Sequence, residues 1–109
     1  MKLALAAALT AAGVVGAAAL VASLVGGIPA PQDDYTPATV SGRVVFQEAC
    51  VKCHGIDGKG TALAPPLKGR SLPPERIRSR VESGSGRMPK FPNITGEALR
   101  DLAAFVHRL

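Results

Sequence analysis

Cys50-Val51-Lys52-Cys53-His54 constrains this chain more than any other stretch. Two thiols stand three positions apart, and an imidazole follows the second. On one helical turn such a pair shares a face, so each sulfur can add to a vinyl group of the same porphyrin. The adjacent His54 then projects under the ring, where one of its nitrogens can bind the iron. The spacing is the attachment signature of a c-type haem. Other uses of a Cys-x-x-Cys pair compete less well. A structural zinc site takes four ligands, usually from two pairs. These are the only two cysteines, and the only other histidine, His107, stands near the C-terminus. A thioredoxin-like motif needs a strand–helix–strand setting, which the flanking sequence lacks. A disulfide between the two would close a very short loop.

The N-terminus carries a second constraint. From Leu3 to Ile28 no residue is charged, and only Thr10 and Ser23 are polar. About 20 apolar residues in a helix cross the ~30 Å hydrocarbon core of a bilayer. Residues 1–28 are therefore expected to form an N-terminal transmembrane helix. A cleaved signal peptide has an apolar region of about 7–15 residues. Here apolar sequence continues past the small residues Ala17 and Ala19 as Leu20-Val21-Ala22-Ser23-Leu24-Val25. An uncleaved signal-anchor is preferred over a removed signal peptide on that ground. Lys2 and the α-amine stay on the cytoplasmic side, with Asp33 and Asp34 across the membrane. Either reading exports the rest of the chain.

Residues 29–39 read as a linker, because Pro29, Pro31 and Pro37 and the two aspartates favour extended, solvated chain. Residues 40–109 form the folded domain. A core of about 70 residues rarely stabilises itself without a metal, disulfides or a bound group. A covalently held haem supplies that missing apolar volume. The whole chain carries a net charge of +5. Lys68, Arg70, Arg76, Arg78, Arg80, Arg87 and Lys90 supply much of the positive charge, either as a solvated face or as a steering surface for an acidic redox partner. Nucleic acid is excluded as a partner by export and by an aromatic content of only 4%.

Three helices are expected in the domain. The first covers about Ser41 to Cys50, capped by Ser41. The second follows Pro73-Pro74 and covers Glu75 to Ser83, with Ile77 and Val81 as an apolar pair and Gly84 as its end. The third starts after Thr95 as N-cap. Its Leu99, Leu102, Ala103 and Val106 follow the i, i+3, i+4, i+7 pattern, and Phe105 widens that face. Strand alternation persists nowhere. The expected fold class is all-α, about three main helices and loops around one cofactor.

With these residues in place, Gly42 to Leu109 resembles the class I monohaem cytochrome c family, of the membrane-anchored bacterial type. Gly42 and Phe46 look like the family's first helix, which packs against an aromatic on the last helix, here Phe105. Gly55-Ile56-Asp57-Gly58-Lys59-Gly60 resembles the loop after the haem histidine. Ala64-Pro65-Pro66-Leu67 resembles the segment in which a proline carbonyl, here that of Pro65, accepts the other ring N–H of the histidine, while Leu67 lies against the porphyrin. Gly84-Ser85-Gly86-Arg87-Met88-Pro89-Lys90-Phe91-Pro92 resembles the Met-Pro loop that supplies the sixth ligand. Met88 is the only methionine besides Met1. The resemblance thus implies one haem c bound through Cys50 and Cys53, held by His54, Pro65, Leu67 and Met88, with His54 and Met88 as iron ligands. His107, at the end of the last helix, reads as a surface group favouring a helix C-terminus. The chain has no tryptophan, whereas many family members use one to contact a propionate.

Such a site implies a one-electron carrier and no enzyme, since a thioether and an imidazole close both axial positions. The implied partners are a quinol–cytochrome c reductase and a terminal oxidase, between which the carrier shuttles on the periplasmic side of a bacterial cytoplasmic membrane. An electron-accepting subunit of a periplasmic dehydrogenase is the alternative. A ligand-binding or sensor haem protein is a weaker one, because it needs an open sixth position. No small-molecule substrate is expected.

Overall fold

The computed structural model describes residues 29–109. Four helices follow one another among them: α1 (Gly42–Ala49), α2 (Val51–His54), α3 (Pro74–Ser83) and α4 (Gly96–His107). A 3₁₀ turn lies at Ile56–Gly58. The helical expectation holds for these residues, and the three expected helices are α1, α3 and α4. The short α2 is an addition, separated from α1 by Cys50 at φ −111° and ψ −32°. No helix among the described residues is long and apolar enough to cross a membrane. The expected anchor over residues 1–28 lies outside the described residues.

Local chemistry sets the ends of each helix. The Ser41 hydroxyl accepts from the Val44 N–H at 3.4 Å and caps α1. Pro74 opens α3, where the missing N–H has no helical partner to lose. Gly84, at φ 65°, closes it while its N–H still reaches the Arg80 carbonyl at 2.8 Å. Thr95 precedes α4 in extended conformation, as an N-cap should, but its side chain makes no capping bond. That part of the capping expectation fails.

The core forms where α1 and α3 pack on α4. The buried face of α4 consists of Ala98, Leu99, Leu102, Ala103 and Val106. From α1 come Val45, Phe46 and Ala49, from α3 come Ile77 and Val81, and Phe91 and Ile94 fill the loop side. Each fully buried side chain of this size stabilises the fold by about 1.5–3 kcal/mol. Gly42 makes the α1–α4 crossing possible. A Cβ there would run into the Asp101 carbonyl and lie 2.6 Å from the Leu102 nitrogen. The Phe46 and Phe105 rings then meet at 5.3 Å between centroids, tilted by 51°, a favourable aromatic geometry.

Residues 31–36, expected as part of a solvated linker, lie on the domain rather than in free solvent. Gln32 pairs in parallel with Lys90. The Tyr35 hydroxyl donates to Glu48 Oε1 at 2.8 Å, and Lys52 Nζ lies 3.1 Å from Asp33 Oδ2. The segment therefore straps the end of α1 and the start of α2 to the loop after Met88.

Candidate haem site

Cys50, Cys53 and His54 lie on one turn, because α2 starts directly after Cys50, the residue that joins it to α1. The Cys50 N–H donates to the Phe46 carbonyl at 2.9 Å, and the His54 N–H donates to the Cys50 carbonyl at 2.9 Å. The two sulfurs are not bonded to each other, and both residues are half-buried. Burial pushes the Cys50 thiol up to about 12. A reactive redox Cys-x-x-Cys pair needs the opposite shift. No group of three or more His, Cys, Asp or Glu side chains gathers as a metal cluster among the described residues.

The chain after His54 folds back onto it. Gly55, at φ 82°, ends α2, and the Gly60 N–H returns to the His54 carbonyl at 2.6 Å. The Thr61 hydroxyl donates to the Cys53 carbonyl. The Gly58 carbonyl accepts from both Leu67 and Lys68, at 2.7 and 3.0 Å. At Gly60, φ is 88° and a Cβ would stand 2.7 Å from the Pro66 nitrogen, so only glycine permits this approach. These bonds bring Pro65 to the imidazole, with His54 Nδ1 2.9 Å from the Pro65 carbonyl oxygen. A carbonyl only accepts, so Nδ1 carries the hydrogen and Nε2 of the neutral ring keeps its lone pair. Such a bond also orients the ring and raises its basicity as a ligand.

Leu67 is half-buried and packs on the core, as do Cys50, Val51, Leu72, Met88 and Leu109. Met88 comes from a separate loop. Its N–H and carbonyl pair with Ser85 at 2.9 Å each, leaving Gly86 and Arg87 at the tip. The Phe91 N–H donates to the Val81 carbonyl at 2.9 Å and ties the far end of the loop to α3. His54, Pro65 and Leu67 thus form one connected unit, whereas Met88 packs against the core from a separate loop. The His107 ring is engaged elsewhere, with Nδ1 2.7 Å from the Leu72 carbonyl.

Sequence reasoning missed Asp33, Tyr35 and Asn93. The Asn93 amide donates to the Asp34 carbonyl and to the Thr36 hydroxyl, each at 3.1 Å. One signal was available: the chain's single tyrosine stands in a segment otherwise composed like a solvated linker.

The donor set fits a covalently held haem. It comprises two thiols one turn apart, an imidazole whose Nδ1 is committed to Pro65, a thioether packed against the core and half-buried apolar side chains on that core. A small helical domain with these groups is a class I monohaem cytochrome c, with one haem c attached through Cys50 and Cys53. Residues 37–106 match the family model described as cytochrome c oxidase, cbb3-type, subunit III, and the chain belongs to that family. It is 32% identical over 66 residues to the menaquinol:cytochrome c reductase cytochrome c subunit of Bacillus subtilis, covering 59% of this chain and 26% of the relative. It is 40% identical over 58 residues to cytochrome c-551 of the same organism, covering 50% and 51%. It is 30% identical over 90 residues to the cytochrome subunit of sulfide dehydrogenase of Chlorobaculum tepidum, covering 74% and 78%. The chain therefore spans about half or less of the length of the two Bacillus relatives. No solved structure gives a significant match.

Proposed function

We propose that the chain is a one-electron carrier that passes electrons between membrane respiratory complexes on the periplasmic side of a bacterial cytoplasmic membrane. One observation carries the reading: a helical turn presents two unbonded thiols beside an imidazole whose Nδ1 is committed to Pro65 at 2.9 Å. The haem supplies a single redox step at iron, and the protein holds and tunes it. His54 offers Nε2 to the metal, and Pro65 fixes the tautomer that makes this possible. Leu67, half-buried on the core, would supply apolar contact to the porphyrin. Met88 offers a soft, neutral sulfur that favours ferrous iron and raises the potential. Were His54 and Met88 both to ligate the iron, the protein would leave no position for a substrate, which fits a carrier that makes and breaks no substrate bond. Residues 1–28 anchor the domain to the membrane. A quinol–cytochrome c reductase as donor and a terminal oxidase as acceptor fit this arrangement, and the relative named as a reductase cytochrome subunit supports the first. A second reading, the electron-accepting subunit of a dehydrogenase, draws support from the sulfide dehydrogenase cytochrome subunit, matched over 78% of its length.

The Met88→Ala variant tests the ligand assignment. It should lose the weak sulfur-to-iron band at the red end of the oxidised spectrum, bind carbon monoxide readily and shift to a lower potential. An unchanged potential and band would reject Met88. Salt tests the partner. Arg76, Arg80 and Arg87 are each exposed, so the rate of reduction by an acidic donor should fall as ionic strength rises. A rate indifferent to salt would assign these arginines to solvation alone.

A further inference from the structure

His54 and Met88 stand on segments far apart in sequence, and one short stretch touches both. Asp33 is where the two meet. Its backbone N–H donates to the Lys90 carbonyl at 2.9 Å, and the Lys90 N–H donates to the Pro31 carbonyl at 2.8 Å. Lys90 lies two residues after Met88. The Asp33 carboxylate turns the other way, to Lys52 at 3.1 Å, and Lys52 stands between the two cysteines. The same carboxylate accepts the Tyr35 N–H at 2.9 Å, which fixes its rotamer. On the upstream side Ala30 packs against Gly84, where a Cβ would come within 2.7 Å of the Ala30 Cβ. On the downstream side the Asn93 amide holds Asp34 and Thr36.

We propose that residues 30–36 act as a clip, with Asp33 as its positioning residue, that holds the Met88 turn in register and so sets how firmly Met88 competes for the iron. The proposal rests on the reading of Met88 as sixth ligand. The turn needs such help. Its own closure consists of the two Ser85–Met88 bonds, and nothing packs within 4 Å of a Cβ built on Gly86 at the tip. A lone two-residue turn of this kind is marginal in water. Two backbone bonds from the clip, each favouring the held state by roughly fivefold, are placed immediately after the sulfur-bearing residue. Pro89 transmits the restraint, because its ring fixes the backbone between Met88 and Lys90.

The test uses the full-length, haem-loaded protein and titrates imidazole as a competitor for the sulfur's position. Asp33→Pro removes the N–H that the Lys90 carbonyl accepts, together with the carboxylate that holds Lys52 and the Tyr35 N–H. Asn93→Ala removes the amide from the clip's other end and leaves the clip backbone unchanged. Both should keep full haem content and helical circular dichroism. The imidazole concentration that displaces the sulfur band should fall roughly fivefold in Asp33→Pro, and by less in Asn93→Ala. A merely structural role would lower the urea midpoint without moving the imidazole titration. Unchanged imidazole affinity in both variants, with Met88→Ala abolishing the band, would overturn the clip and leave the ligand reading standing. If Met88→Ala retains the band, the ligand reading falls and takes the clip with it.

Discussion

His54 sits on a helical turn whose following loop folds back on it, whereas Met88 sits on a two-residue turn held from outside. On the His54 side, Gly60, Thr61 and Pro65 each bond the α2 turn within eleven residues of His54. On the Met88 side the sulfur-bearing residue has one local hydrogen-bond partner, Ser85; beyond it the loop is tied to α3 by the Phe91 bond to Val81 and to residues 31–36, more than fifty positions upstream, through Lys90. Loop closure over such a span is entropically costlier than closure over a handful of residues. The difference teaches that His54 is anchored by its own neighbourhood, whereas Met88 depends in part on a remote strap. Motion in the site is therefore expected on the methionine side first, since locally dense hydrogen bonding resists local opening.

Glycines on the two sides offer the largest test of this contrast. Gly60 and Gly86 both have positive φ, 88° and 56°. At Gly60 an added methyl also meets the Pro66 backbone at 2.7 Å, whereas at Gly86 it meets nothing within 4 Å. Gly60→Ala should cost about 3 kcal/mol in urea unfolding, combining backbone strain with overpacking. It should also disturb His54, because Pro65 would shift. Gly86→Ala should cost about 1 kcal/mol from backbone strain alone. Equal costs at the two sites would break the contrast, since they would mean that the His54 loop gives way as easily as the Met88 turn.

Much of the helical scaffold is legible in the sequence because its signals are local. The i, i+3, i+4, i+7 apolar pattern marks α4, and the Pro73-Pro74 pair and Gly84 bound α3, whereas the crossing of Gly42 and Phe46 with Phe105 follows from the family resemblance. The contact between His54 and the Pro65 carbonyl follows from the family resemblance and is present at 2.9 Å. The strap is harder to read. Prolines and aspartates at 29–39 describe the chain's stiffness and solubility, not what it pairs with. Its docking is written in backbone N–H and C=O groups of Pro31, Asp33 and Lys90, which every sequence possesses. Side-chain clues are sparse: alternate residues from Asp33 to Thr39 are partly buried, yet in sequence they mix Asp, Tyr, Pro and Thr and show no apolar alternation. The absent α2 expectation has a similar cause. A four-residue helix is too short for periodicity to reveal, and it follows from geometry at Cys50 alone.

The smallest expected effect probes the strap's far end. Tyr35 donates to Glu48 at 2.8 Å, and burial together with that carboxylate raises its hydroxyl to about 12 from an ordinary value near 10. Folding thus favours the protonated phenol. Its contribution is fully present below pH 10, and it is lost as the pH rises from 10 through 12, because the unfolded chain ionises first. At neutral pH Tyr35→Phe should cost only about 0.5 kcal/mol, as expected for one partly exposed hydrogen bond. Between pH 10 and 12 the wild-type protein should lose stability more steeply than the variant, in urea midpoints measured at each pH. Tyr35 is the only tyrosine, so tyrosinate absorbance in the folded protein reads the same group directly. Ionisation near 10 would mean that the strap does not shield the phenol. Ionisation near 12, with the sulfur-to-iron band weakening in step, would link release of the strap to loosening of Met88 while the His54 side stays in place.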